Sequence, residues 1–429
     1  MESFLPVIIA LILMFMGIPV AVSLLTASFV YFAFLTSNYA LTNVIQSLVT
    51  NAMGSTLLAA PFFIVVGVIM NYTGITARLM RFCDMLVGHK EGGLAHVNVL
   101  LSTINGGICG SGSADAAFDC KVLVPEMTKH GYPLPFSTVV SAASGLITPI
   151  IPPGVSLILY AVMAGVSVGK MFAAGYIPGL MLCAAMMITV TIYSKKNHWK
   201  GDRTERAPWK EVLIAAKDSV WSLIIPIIMM VGIRGGYFTA TEGGAVIILI
   251  CLFVGAFVYK TIKWEHIPKI LKESFHSIAA IMLLIIPSLV FGVYLNWERV
   301  PQRLTEMLLN ITESRIVFYL IVNVLLLFFG MFLDGTALLM IMTPLLYPAA
   351  KAFGCDLVAF GIMIIINISM GSLTPPFGGL MYVTCSLTKT SLVDFMKYSW
   401  AFLVAIGIVL IIVMVFPQLV LFLPNLIYG

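Results

Sequence analysis

From Ser3 to Ala77 the chain contains no Asp, Glu, Lys, Arg or His. At about 20 apolar residues per bilayer crossing, that run is long enough for two membrane helices. The rest of the chain is similar: 60% of residues are hydrophobic and 10% charged, against about 25% charged in a soluble domain. The protein is an integral membrane protein. The N-terminal run is expected to be retained, because Glu2 stands where a signal peptide carries basic residues, and the run far exceeds the ~7 to 15 residues of a signal core. The seven cysteines (Cys83, Cys109, Cys120, Cys183, Cys251, Cys355, Cys385) form no C-x-x-C pair. They read as small buried apolar residues, so no transition metal, disulfide frame or cofactor is expected. The net charge of +5 comes with no basic face of interleaved aromatics, which argues against nucleic acid as a partner.

The pattern predicts an all-α polytopic protein. Helices are expected at 4–35, 56–75, 133–147, 153–168, 172–194, 218–235, 240–260, 278–296, 357–373, 377–388 and 400–424. Regions 92–130 and 314–352 differ: each holds two short helical pieces around a small or polar centre, the pattern of a re-entrant hairpin. Segments 76–91 and 261–277 are too polar to span and fit interfacial amphipathic helices, with ordinary loops as the alternative. Four regions follow. They are N-terminal helices (1–75), a first repeat (76–195), a basic loop with further helices (196–296) and a second repeat (297–429).

Segment 195–210 holds six Lys/Arg against Asp202 and Glu205, and 260–272 holds four Lys against Glu265. Both belong on the cytoplasmic side by the positive-inside rule. Two spans separate them, which is consistent. One more span leads to 297–315, where Glu298, Glu306 and Glu313 balance Arg299, Arg303 and Arg315, as expected of a loop on the opposite side.

The candidate site lies in the polar, proline-rich stretch from Ile104 to Tyr160. Irregular backbone at membrane depth survives only where protein buries it or where it lines a polar cavity. A second version follows 219 to 226 residues on: Asp115 stands ten residues before Pro125 as Asp334 does before Pro344, and Gly145-Leu-Ile-Thr148-Pro149 matches Gly371-Ser-Leu-Thr374-Pro375. A proline donates no backbone proton and disfavours helix before it, so carbonyls around Thr148 and Thr374 are freed as ligands. Repeated broken helices point to a secondary transporter with its site near the midplane. Two sodium sites are expected, one from Asn105, Ser113, Asp115, Gly145 and Thr148, the other from Asp334, Thr336, Gly371 and Thr374. A proton carried on the aspartates is the alternative, since an unpaired ion at this depth costs about 2.5 to 3.5 kcal/mol. Asp119, one turn beyond Asp115, is expected to cap or face water, and Lys121, Glu126 and Lys129 to lie near a membrane surface. Ser111, Ser113 and Ser156, with inward-pointing helix N-termini, could bind an anionic, hydroxylated solute. Arg234, among glycines, is expected at a helix end.

The blocks FMGIPVAVSLL, GGICGSGSADAA, SGLITPIIPPGVSLILYA, FLDGTA and GSLTPPFGGLMYV resemble the large membrane subunit of tripartite ATP-independent periplasmic (TRAP) transporters, over essentially the whole chain. The resemblance implies an elevator transporter built of inverted repeats with two re-entrant hairpins, a scaffold and a transport domain, coupled to sodium. It also implies two partners: a small four-helix membrane subunit, expected as a separate chain, and a soluble periplasmic substrate-binding protein. By the same resemblance the segments around Ser111 to Asp115 and Asp334 to Thr336 form the ion sites with Gly145, Thr148, Gly371 and Thr374, while Ser111, Ser156 and Asp334 face the solute. Gly154 stands where many relatives are expected to have serine, a departure beside the Ser156 contact. Among branches the chain looks most like sialic acid importers of the bacterial inner membrane, with C4-dicarboxylate importers next. A self-sufficient sodium/dicarboxylate symporter would carry the same repeats. An intramembrane aspartyl protease would need a G-x-G-D arrangement that Gly110-Ser-Gly-Ser-Ala-Asp115 lacks, and midplane repeats favour a carrier over a channel.

Overall fold

In the computed structural model, residues 4–36, 45–46, 49–50, 54, 57–199 and 205–429 are described, and every regular element among them is helical. Part of the basic loop, 200–204, and Glu2 lie outside the described residues. The first helical region is not one helix but two, α1 (Leu5–Phe15) and α2 (Val20–Val30), the latter running into a π-turn at Tyr31–Leu35. Gly17 adopts φ +83° between them and Pro19 precedes α2, so both the left-handed turn and the missing N–H interrupt the ladder.

Next, α3 (Ala59–Thr73) and α4 (Ile75–Val87) meet at Gly74, φ +67°, with a 75° bend. This turns the amphipathic α4 away from the apolar α3, as the 76–91 pattern requires. The first hairpin is α5 (Gly93–Cys109) and α6 (Gly112–Lys129), followed by α7 (Leu134–Gly145), an irregular break, α8 (Val155–Ala164) and α9 (Val168–Asn197). Then come α10 (Trp209–Asp218), α11 (Val220–Arg234), α12 (Ala240–Phe253) and α13 (Ile267–Trp297). Arg234 closes α11, as expected of a helix-end residue.

The second repeat holds α14 (Val300–Ile311), the hairpin α15 (Arg315–Gly330) and α16 (Gly335–Ala352), then α17 (Leu357–Ser372), a break, α18 (Gly379–Thr388) and α19 (Leu392–Val415), with α20 (Pro417–Tyr428) last. Starting residues of corresponding helices are 222 to 225 residues apart, from α4/α14 through α9/α19.

Three expectations need correction. Segment 261–277 is no separate interfacial helix: α13 continues through it for 31 residues, about 46 Å at 1.5 Å per residue, so the polar end projects beyond a ~30 Å hydrocarbon core. The amphipathic counterpart of α4 is instead α14, in the 297–315 segment read as a loop, and α4 and α14 each start directly after a left-handed residue, Gly74 and Arg299. Finally, 400–424 is part of two helices, α19 and α20, parted at Phe416.

The repeats interlock reciprocally. The second hairpin arm of each packs on the post-break helix of the other, α6 on α18 and α16 on α8, and the pre-break helices do likewise, α7 with α18 and α17 with α8. That exchange is what a two-fold relation between halves produces. Tyr160 Oη on α8 donates to the Leu357 carbonyl at 2.6 Å, and Thr138 Oγ1 on α7 meets Thr388 and Thr390 Oγ1 at 3.0 Å. Counted as one crossing each, α7–α8, α9, α11, α12 and α13 place the entrances of the two hairpins on opposite faces, the arrangement of inverted repeats. Outside this core, α2, α3, α12 and α13 pack against one another as a second bundle.

In each repeat a buried asparagine on the first hairpin arm clasps the pre-break helix. Asn98 Nδ2 donates to Ser141 Oγ (2.8 Å) and its Oδ1 accepts from Ser144 Oγ (2.7 Å); Asn367 Nδ2 donates to Asn323 Oδ1 (2.6 Å). Asn98→Ala takes the amide partner from two buried hydroxyls, of which Ser144 Oγ keeps the Ser141 carbonyl at 3.2 Å and Ser141 Oγ is stranded; it is expected to cost about 1–3 kcal/mol, read as a lowered melting temperature of the purified protein.

Candidate functional site

The two hairpin tips and the two breaks meet at a cavity of about 1890 Å³, whose far wall is α3 and α13. Of the expected site residues, Asn105, Ser111, Ser113, Asp115, Gly145, Ser156, Asp334 and Thr336 line it. Thr148, Gly371 and Thr374 are buried and do not line it. Ser369 and Ser372, at the end of α17, also line it; sequence reading missed them because serine near a helix end is ordinary.

The first expected ion set is brought together. Asp115, in the first turn of α6, is 2% exposed. Its Oδ1 accepts from Asn105 Nδ2 on α5 (3.2 Å) and its Oδ2 from Thr148 Oγ1 in the break (3.1 Å). Asn105 Oδ1 is buried with no protein partner. No basic side chain pairs with Asp115 among the described residues. The constellation is therefore oxygen-rich, carries one carboxylate and has an unused carbonyl oxygen, a donor set suited to a hard cation. Ser113 faces the cavity, 3.4 Å from Ser111 Oγ, and does not bond Asp115. Gly145 is where the hairpin and the broken helix touch: a Cβ there would sit 2.8 Å from the Gly112 carbonyl.

The second set is arranged differently. Asp334 is the N-cap of α16, its Oδ1 accepting from the backbone N–H of Thr336 (2.9 Å) and Ala337 (3.3 Å), with the side chain exposed to the cavity. Thr374 Oγ1 bonds back to the Met370 carbonyl at 2.8 Å, and Gly371 packs on Gly330. Asp115 and Asp334 are thus not structural equivalents. The position matching Asp334 is Ser111, N-cap of α6, and Pro125 matches Pro348. The G-x-x-T-P motifs are displaced as well. A Cβ on Gly106 would lie 3.0 Å from the Thr148 Cα, and one on Gly330 3.2 Å from the Gly371 Cα, so Thr148 occupies the place of Gly371.

Asp119 does not face water. It is fully buried, Oδ2 accepting from Ser102 Oγ at 2.9 Å and Oδ1 unpartnered. Glu126 and Lys129 form an exposed pair at 3.0 Å, in keeping with a surface position, whereas Lys121 lines the cavity. The six cysteines whose side chains are described are buried and unpaired, and no His/Cys/Asp/Glu cluster among the described residues could hold a metal ion.

Residues 7–419 match the model of the tripartite ATP-independent periplasmic transporter, DctM component. The chain belongs to that family. As a DctM component it is a multi-pass protein of the bacterial inner membrane and a transport permease. It is 37% identical to the sialic acid TRAP transporter large permease protein SiaM of Vibrio cholerae, over 97% of each chain. It is 31% identical to the C4-dicarboxylate TRAP transporter large permease protein DctM of Rhodobacter capsulatus, over 96% of this chain and 97% of that one. To the 2,3-diketo-L-gulonate TRAP transporter large permease protein YiaN of Escherichia coli it is 32% identical, over 88% of each. Among solved structures, the YdaH transporter of Alcanivorax borkumensis shares the fold at a TM-score of 0.64 and 14% identity, over 97% of this chain and 98% of that one.

Proposed function

We propose that this DctM component imports an organic acid, sialic acid in particular, driven by sodium, with the inverted-repeat core moving as an elevator against the α2–α3–α12–α13 bundle. The observation that carries the coupling is Asp115: buried, paired with no base among the described residues, held by Asn105 and Thr148 beside a free carbonyl oxygen. A bound cation compensates such a carboxylate where a salt bridge is absent. The second ion is assigned to the end of α17 and the start of α16, with Asp334 and Thr336 as the groups nearest the cavity. Solute sits between the hairpin tips, held by Ser111 and Ser156 and by the N-termini of α6 and α16.

The assembly it works in comprises a small membrane subunit and a soluble periplasmic binding protein, as family membership implies. Sialic acid is favoured by the likeness to SiaM; the likeness to C4-dicarboxylate and diketogulonate permeases supports a second reading, another small organic acid at the same site. The test is uptake of labelled sialic acid into proteoliposomes holding this chain and its small subunit, under an inward sodium gradient, with and without the binding protein. Uptake only with that protein and sodium is expected. Uptake without it indicates a self-sufficient symporter, and uptake of succinate alone moves the solute to the dicarboxylate class.

A further inference from the structure

The cavity continues past the serine-lined site toward the basic end of α13. Lys269, Lys272, His276 and Ala280 line it, three or four residues apart, so they form one stripe of the helix. It runs about 16 Å, from charged positions at the cytoplasmic end to a small apolar one at depth. From the opposite wall Lys121, on α6, enters the same space, six residues or about 9 Å along the helix from Asp115. Among the described residues none of these three lysines has an acidic partner. Glu273, the carboxylate nearest them on α13, also lines the cavity and keeps its charge while accepting a 2.6 Å hydrogen bond from Tyr72 Oη on α3, so three lysines stand against one carboxylate. The cavity end is therefore cationic, with low-dielectric walls that focus the field on whatever leaves the site.

We propose that Lys121, Lys269 and Lys272 form a second station for the solute's carboxylate, on the cytoplasmic side of the serine-lined site. This rests on the reading that the solute is an organic acid. The station is built from two walls. Lys121 belongs to the inverted-repeat core, Lys269 and Lys272 to the outer bundle, so it is complete only while α6 faces the start of α13. A shift of the core along α13 removes Lys121 and leaves two lysines, lowering the hold on the carboxylate. Solute bound there from the cytoplasm opposes further import, which makes the station the place where internal product is sensed.

Two measurements test it. In proteoliposomes of the full assembly, internal sialic acid slows initial uptake. The internal concentration for half inhibition is expected to rise about fivefold to tenfold in the K269Q/K272Q double variant, two screened charge contacts being lost, with the external half-saturation unchanged. The second measurement needs no transport. Ser277 lines the cavity beyond Lys272, and in Ser277→Cys the introduced thiol should react faster with an anionic than with a cationic methanethiosulfonate. That ratio is expected to fall about tenfold when Lys269 and Lys272 become glutamine, and sialic acid or succinate should protect the thiol only while the lysines are present. An unchanged ratio, or protection that survives K269Q/K272Q, overturns the station even if the wild type imports nothing, an outcome that would overturn only the functional reading. A fall in ratio with unshifted internal inhibition also overturns it. So does an effect confined to liposomes with anionic lipid, which would make a headgroup the occupant.

Discussion

Asp115→Asn is expected to leave the protein folded and inserted while abolishing sodium-driven uptake. The substitution keeps the size of the side chain and an acceptor for Thr148 Oγ1, which now bonds Oδ2 at 3.1 Å; its new NH2 faces Asn105, whose unpartnered Oδ1 can accept from it if that amide turns over, so it removes the charge and reverses one hydrogen bond. Asp115→Ala does more: it leaves the buried Asn105 Nδ2 without its acceptor, at about 1–3 kcal/mol, and Thr148 Oγ1 with only the Ser102 carbonyl at 3.5 Å. The pair of variants therefore separates charge from packing. If Asp115 binds sodium, salt stabilises the wild type through mass action, by about 2.7 kcal/mol at a hundredfold excess over the dissociation constant. The melting temperature in sodium chloride over choline chloride should then rise in the wild type and rise less in D115N, where only the second ion contributes. Retained sodium-driven uptake in D115N would remove Asp115 from the ion site. Uptake driven by a pH gradient and indifferent to sodium would instead make it a proton carrier. Asp334→Asn is the companion: asparagine caps a helix about as well as aspartate, so lost transport there reports charge at the α16 N-terminus.

The sequence was most informative where composition changes abruptly. Both hairpins stood out because small and polar residues interrupt apolar surroundings that a bilayer would not otherwise tolerate, and Asn105, Asp115 and Thr148 could be grouped because freed carbonyls and a carboxylate at that depth need a shared ligand. What the letters could not give was register. Matching Asp115 with Asp334 and G-x-x-T-P with its copy aligns side-chain types, whereas the halves superpose by backbone position. At both places the two alignments differ by about one helical turn. Proline or glycine one turn away breaks a helix equally well, so the motif drifts while the break stays. The polar start of α13 was legible as amphipathic, but nothing local says that a helix leaving the membrane continues or stops. Likewise α14 balances its charges as a loop would, and only its helical course, starting after left-handed Arg299 as α4 starts after left-handed Gly74, shows it as the counterpart of α4.

The contact between hairpin and break makes the second large prediction. A Cβ on Gly112 would stand 2.4 Å from the Gly145 carbonyl oxygen, an approach that no side-chain rotation relieves because the obstacle is backbone. Gly112→Ala must push the tip of the first hairpin off α7. The displacement carries Asp115, three residues on, away from Thr148. Overpacking of this kind costs about 1–3 kcal/mol, and a shift of even 1 Å at such a site can cost about a hundredfold in turnover. Sodium-driven uptake should fall at least that far, with a lowered melting temperature and a smaller sodium-dependent stabilisation. Gly379 is the internal control: it lines the same cavity, at the start of α18, and a Cβ there meets nothing within 4 Å. Gly379→Ala should transport as the wild type does. Equal behaviour of the two variants would mean that the glycine contact is incidental, and that the hairpin is held at the break by its hydrogen bonds, Asp115 to Thr148, the Val155 N–H to the Gly110 carbonyl and the polar clasp of Asn98.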